Sequence, residues 1–240
     1  MQSGVMVLHY NKAGGPAADV DVRKAINTGI DVDALMMASF PNPDFYTLHS
    51  SYMDEQIANW ASNEGNEHYN INDPEKAKEM LADSSYDGEE FKILVTRDYD
   101  HHYNMGVVLH EQLNNLGINA KLEVYDWPTT TQLIHEEGTF DIFIISFSTV
   151  STPPQFLSLS PTWAGGIQDQ KVIDGMVDLE TAPTIEEAQQ TWNDLQGYMW
   201  EEHMPISVVG SYSDVFGSNK KVEGVTTFSG PIFWNTRIVE

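Results

Sequence analysis

The chain has 240 residues, 41% hydrophobic and 11% aromatic, a composition that excludes a disordered or collagen-like polymer and is enough to bury a core without a disulfide or structural metal. Asp and Glu number 36 against 12 Lys and Arg, a net charge of −24, so the surface repels phosphate backbones and anionic lipid and argues against a nucleic-acid partner. Cysteine is absent, which removes disulfide frameworks, thiolate metal sites and a cysteine nucleophile.

In chain order, Val5 to Tyr10 reads as a strand, broken by Gly14-Gly15-Pro16. Asp19 to Ile30 reads as a helix, with Val22, Ala25, Ile26 and Ile30 at helical spacing, and a second helix runs from Val32 to Phe40. Pro41 to Asn72 has no period and reads as a long irregular segment. Asp73-Pro74-Glu75 is a helix start, a capping carboxylate followed by proline at the first helical position. Phe91 to Thr96 is a strand, Tyr103 to Leu116 an amphipathic helix ended by Gly117, Ile118 to Tyr125 a strand, Pro128 to Glu137 a helix, and Phe140 to Phe147 a strand apolar on both faces. This β-α-β-α-β run predicts an α/β fold with a mixed, largely parallel sheet flanked by helices. Helices follow at Lys171 to Leu179 and at Ile185 to Glu202, the latter with a Thr184/Glu187 capping box, then a strand at Pro205 to Gly210 and a β-prone tail. No apolar run is long enough to span a membrane, and Met1 to Asn11 lacks the pattern of a signal peptide.

The chemistry-bearing motifs GxSxG, HExxH, GxxxxGK[ST] and GxGxxG do not occur. His101-His102 is the one adjacent histidine pair and reads as solvated loop, with Asp98 and Asp100 close in sequence; no metal ligand and no cofactor is assigned. The many carboxylates read as solvated faces rather than a catalytic pair, so an acidic hydrolase is the minor alternative. Ligands of open α/β sheets sit beyond strand carboxyl ends, which directs attention to Ser148-Thr149-Val150-Ser151 after the buried strand. Trp127, at a strand-to-helix turn, and Trp163, in a loop before Gly165-Gly166, are candidate stacking platforms. Among three arginines, Arg23 lies between Asp19, Asp21 and Asp31 and is expected to form an internal ion pair, whereas Arg97 follows a strand and could clamp a carboxylate.

Six stretches together resemble one family. Asp19-Val20-Asp21-Val22-Arg23-Lys24-Ala25-Ile26-Asn27, Asp31-Val32-Asp33-Ala34-Leu35, Asn72 to Leu81, His110-Glu111-Gln112-Leu113 through Gly117-Ile118, Gly138-Thr139-Phe140-Asp141, and the closing Met204-Pro205-Ile206 with Asn219 to Val225 are similar, in this order, to segments of the family 5 extracellular solute-binding proteins, the oligopeptide, dipeptide and nickel receptors of ABC importers. The resemblance implies a non-enzymatic receptor that closes two lobes around a solute and hands it to ABC permease subunits. It also implies that residues 1–202 are the second lobe and 203–240 the hinge crossing and the segment returning to a first lobe, in an extracytoplasmic protein lipid-anchored ahead of this sequence. Phe147, Ser148, Thr149, Ser151, Arg97, Trp163 and Trp127 are then the expected ligand-binding residues. Relatives that bind peptides place an aspartate a few residues after the buried strand, against the peptide ammonium; Ser148 to Ser151 contain none, which favours a neutral or sugar-like solute, or a peptide held through its backbone. An oligosaccharide or metal receptor of the same family is the alternative.

Overall fold

The computed structural model describes residues 4–166, 169–215, 217–228 and 230–239. Its centre is a six-stranded sheet in the order β2-β6-β1-β5-β3-β4, formed by β1 (Gly4–Tyr10), β2 (Tyr46–Thr47), β3 (Phe91–Thr96), β4 (Ala120–Tyr125), β5 (Ile142–Ser148) and β6 (Ile206–Tyr212). The β-α-β-α-β run supplies β3, β4 and β5; β3 pairs in parallel with both of the others, as the helical crossovers allow. The other half is antiparallel: β1 lies between β5 and β6, and β2 closes the edge on β6. The sheet is therefore mixed, and its parallel pairing is confined to β4-β3-β5. The reason is connectivity, since β1 and β6 reach the sheet from segments far from β5 in sequence and no βαβ unit constrains their direction. Strand β6 lies beyond residue 202 and is buried within the same sheet.

Most helices start where capping chemistry predicts. In α1 (Val20–Gly29), α2 (Val32–Ser39), α3 (Pro74–Asp83), α5 (Trp127–Leu133) and α6 (Gln170–Thr181), the carboxylates of Asp19, Asp31, Asp73, Asp126 and Asp169 accept a first-turn backbone N–H, and Thr184 does so for α7 (Ile185–Tyr198). Helix α4 (Asp100–Asn115) differs from the sequence expectation. It begins three residues earlier, so His101 and His102 lie in its first turn and not in a loop. Tyr99 at its N-cap gives no side-chain hydrogen bond, and the apolar stripe starts only at Met105, so the start carries no local signal. After α7 the chain makes a π-turn, Met199–His203, and leaves it through Met204 at φ +42°. Two short hairpin pairs, β7 (Val222–Glu223) with β10 (Arg237–Ile238) and β8 (Thr226–Phe228) with β9 (Gly230–Ile232), follow the sheet.

Helices α2 and α4 pack together on one face of the sheet. The other face is covered by the 153–166 loop, pinned at its centre by His9: Nε2 donates to the Ala164 carbonyl (2.6 Å), which leaves Nδ1 to accept from the Ser158 hydroxyl (3.0 Å).

Arg23 corrects the expected ion pair. It is buried, and its guanidinium donates to four backbone carbonyls, those of Ala17 (2.7 Å), Ala18 (2.9 Å), His203 (2.7 Å) and Met204 (2.9 Å). Asp19 is occupied as the α1 cap and as acceptor for Ser85, so the carboxylates close in sequence are not the partners. Lys12, also buried, donates to the next carbonyl along, that of Pro205 (3.3 Å), and to Tyr10 (2.6 Å). Two cations thus hold the π-turn and the left-handed Met204 against α1 and β1. Arg23→Met leaves two buried and two part-buried carbonyls without their donor and is expected to cost on the order of 3 kcal/mol, with Arg23→Lys recovering only part. Urea denaturation followed by circular dichroism measures both; a loss below about 1 kcal/mol for the methionine variant would show that this turn does not depend on Arg23.

Candidate ligand-binding site

The strand register assembles one edge of the sheet. Thr96 is level with Tyr125, so the carboxyl ends of β3 and β4 finish together, and β5, whose Phe143 is level with Leu94, runs on past them to Ser148 at the same edge. Gly4, the first described residue, pairs with Ser148 on one side and Tyr212 on the other. The edge that carries the ends of the parallel strands is therefore also where the chain comes into β1 and departs from β6. Gly4 is needed there, because a Cβ would collide with the Phe147 carbonyl.

Two groups of expected site residues meet at this edge. Arg97 follows β3, its backbone N–H donating to Tyr125 (2.8 Å); its side chain is exposed and makes no hydrogen bond or ion pair among the described residues. Trp127, half-buried, sits next to it, its N–H donating to the Asp98 carboxylate (2.7 Å) and its ring edge-on to Tyr99 at 5.4 Å. Phe147 is half-buried and T-packed against Phe156 (5.0 Å) and Trp163 (5.4 Å). Trp163 contacts His9 (4.6 Å) and Phe143 (6.4 Å) as well, so it lies over the face of the sheet and reaches the edge only through Phe147. Its other side borders a hollow of about 520 Å³ lined by Asn11, Gly15, Glu136 and Phe140, at the far end of β1. Phe143 stacks on Trp127 at 6.5 Å and so links the two groups. Ser148 and Ser151 are exposed, the latter donating its N–H to Gln155 (3.0 Å).

The 148–151 loop carries no carboxylate of its own, as its sequence shows, but Thr149 meets one from elsewhere in the chain. Its hydroxyl donates to Asp54 Oδ2 at 2.7 Å, and Asp54 is only 3% exposed. The acid comes from the irregular 41–72 segment, where its other oxygen accepts from the Gln56 N–H (2.8 Å). A cavity of about 10 Å³, room for a group the size of one water, lies between Asp54, Tyr52, Val5, Phe147 and Thr149. Asp54 was not legible because an Asx turn marks it only as loop, and its partner is 95 residues away. Tyr99 and Tyr212 were likewise missed; Tyr212 stacks on Phe40 at 5.0 Å and lies 5.8 Å from the His101 ring.

Burial lowers the pKa of the histidines near this edge. His102 is buried with Nε2 against the Ser146 hydroxyl (3.0 Å); burial first, then the neighbouring His101, push its pKa down to about 3. Burial also lowers His101 and His49. Among the described residues no three His, Asp or Glu side chains are grouped to hold a metal ion. One carboxylate pair has its pKa values pushed apart, Asp87 upward by its hydrogen bond and charge contact with Glu89, and Glu89 downward, but it sits on an exposed turn before β3 and not in a cleft.

The family model described as bacterial extracellular solute-binding proteins, family 5 Middle, matches residues 1–167. A probable peptide ABC transporter periplasmic-binding protein of Sinorhizobium fredii is 24% identical over 243 residues, covering 96% of this chain and 45% of that protein. The chain thus spans about half the length of the relatives it matches. Among solved structures, the oligopeptide-binding protein AppA of Bacillus subtilis in complex with a nonapeptide superposes with a TM-score of 0.84 at 15% identity, over 100% of this chain and 51% of that one. The dipeptide-binding protein of Pseudoalteromonas sp. SM9913 in complex with Met-Leu gives 0.79 at 19% identity, over 98% and 48%. At such identity the likeness is one of fold.

His102 makes the edge sensitive to acid. Its folded pKa lies below the unfolded value, so the unfolded chain binds the extra proton and stability is lost as pH falls through 6.5 toward 3. By pH 5 this one residue is expected to cost about 2 kcal/mol relative to pH 7. Urea titrations at the two pH values, repeated with His102→Gln, measure it: the variant should show a shallower loss, and an unchanged slope would remove His102 as its source.

Proposed function

Because this chain belongs to the bacterial extracellular solute-binding proteins of family 5, we propose that it forms one lobe of a two-lobed receptor. The receptor takes up a peptide or similar small oligomer outside the cytoplasm and delivers it to ABC permease subunits. The observation that carries this reading is the shared edge. Strand carboxyl ends, a hydroxyl-bearing loop, half-buried aromatic rings, the start of β1 and the end of β6 lie together there. A jaw that swings about its crossings needs its gripping surface beside them.

In this reading Phe147 and Trp127 offer apolar faces to the solute, with Trp163 supporting Phe147 from behind. Ser148, Thr149 and Ser151 supply hydroxyl and backbone partners, and Arg97 accepts a carboxylate or carbonyl. Asp54 brings a carboxylate to the same loop, which favours a peptide over a neutral sugar. The lobe comprises residues 1–202 together with β6, and the crossing and return segment begin after Tyr212. Supporting that division, Phe233, Trp234 and Ile238 are 64%, 87% and 84% exposed, an apolar set suited to a first lobe. A lipid anchor ahead of residue 1 would keep the receptor near its permease.

The test uses the full-length protein. Native mass spectrometry of the purified receptor, with thermal shifts against peptide and oligosaccharide libraries, is expected to reveal a bound peptide and a peptide-dependent rise in Tm. Phe147→Ala should weaken binding by roughly tenfold, about 1.4 kcal/mol. Stabilisation by oligosaccharides alone would move the reading to sugars, and no response to either class would overturn it.

A further inference from the structure

The 41–72 segment reads in sequence as a long irregular segment, and its stretch His49–Asp54 is deeply buried: all six residues are 5% exposed or less. It leaves β2, whose two residues pair with Tyr212 and Ser211 at the end of β6. His49 Nε2 then meets the Ser211 hydroxyl at 2.6 Å. Next, the Ser50 carbonyl accepts from Trp200 Nε1 (3.0 Å) and the Tyr52 N–H donates to Gln196 Oε1 (3.1 Å), which fixes the stretch to α7 and the π-turn. At its far end Asp54 accepts from Thr149. Since β6 and β5 flank β1, the stretch runs past the start of β1, from the strand by which the chain departs to the loop after β5.

Two features set it apart from packing filler. Its terminal bonds are both side chain to side chain, spanning 162 and 95 residues of sequence, and each ends on a hydroxyl at the ligand edge or the crossing. It also concentrates unpartnered buried polar atoms: His49 Nδ1, Ser50 Oγ and Tyr52 OH. Stability alone disfavours burying such atoms, so their clustering in one short stretch points to a role beyond packing.

We propose that His49–Asp54 is a tie between the ligand loop and the departing strand, with Asp54 and His49 as positioning residues. A change in how Thr149 is held is transmitted along the tie to Ser211 and Tyr212, where the chain crosses out of the lobe. Its meaning for solute capture rests on the reading above; the tie itself does not, and it can be tested without solute.

The experiment is residue-resolved amide exchange on this 240-residue chain, comparing the parent with Thr149→Val, Thr149→Ser and Ser211→Ala. The reporters are the Ser151 N–H, bonded to Gln155, and the Ser213 N–H, bonded to Phe45 O at 2.8 Å. Thr149→Val should accelerate exchange on the order of tenfold at both, the loss of one charge-assisted hydrogen bond. Ser211→Ala should act reciprocally on the 148–152 loop, because coupling between two sites runs both ways. Thr149→Ser, which keeps the hydroxyl, should behave as the parent. Should Thr149→Val not fold, Asp54→Asn weakens the same contact while keeping an oxygen for the Gln56 N–H. Acceleration confined to 148–152, with 211–213 unchanged, overturns the tie. Solute binding with purely local exchange would refute the tie and leave the receptor reading standing, whereas coupled exchange in a receptor that takes no solute would do the reverse.

Discussion

Strand β1 is the member on which the geometry depends. All seven residues are buried, and the strand is antiparallel to both neighbours, so it supplies the hydrogen-bond partners of β5 and β6 at once. A one-residue slip on either side would exchange the side chains of its two buried faces, each packed against a different layer, which makes the register stiff on both flanks. Because Gly4 is level with both Ser148 and Tyr212, the end of the ligand-loop strand and the end of the departing strand are locked side by side. The bulge between Met6 and Val7 is absorbed within β1–β6, leaving the β1–β5 register continuous.

Charge is distributed in opposite senses inside and outside. The sequence carries −24, yet the two basic groups buried at the base of the sheet, Arg23 and Lys12, are answered by backbone carbonyls instead of acids. Carbonyl dipoles serve a buried guanidinium well when several converge, and the end of a π-turn exposes just such a set. Burial still draws Arg23 down to about 10 and Lys12 well below its ordinary value, a sign that the dipoles offset desolvation only in part. The acids, by contrast, are spent at helix starts, where the macrodipole and free N–H groups favour them. Asp141 is an exception: burial raises it to about 6 even though it accepts the Lys92 N–H.

What the sequence disclosed was local. The β3 bounds, the buried character of β5 and the Asp73 and Thr184 caps all follow from patterns within one or two turns of chain, and each lies where expected. What it did not disclose was decided at distance. The direction of β1 depends on strands more than 130 residues away, Arg23 chose carbonyls at 203 and 204 over acids two and four residues off, and the His101–His102 turn became helical through the burial of His102 on Ser146. The site divides along the same line. Strand ends located Arg97, Trp127 and the 147–151 loop, because βα periodicity predicts where strands finish. Asp54 escaped because a turn-forming aspartate looks the same whether its carboxylate faces water or a threonine.

The same accounting bears on Arg97. It stands in an acidic neighbourhood, next to Asp98 and Asp126, where an ion pair would be the ordinary outcome. Both acids are already engaged with backbone: Asp98 with the Trp127 N–H, and Asp126 with that of Thr129, whose hydrogen bonds hold its carboxyl below the usual range. The guanidinium is exposed and feels Asp126 through charge alone, with no hydrogen bond from its donors among the described residues. An arginine kept free by giving its neighbours other partners is pre-organised for an acceptor that arrives from outside the lobe, and its planar fork would lose little freedom on meeting a carboxylate. The helix start and the proposed solute contact are in this sense one construction: the hydrogen bonds that begin α5 also determine which charge the edge presents.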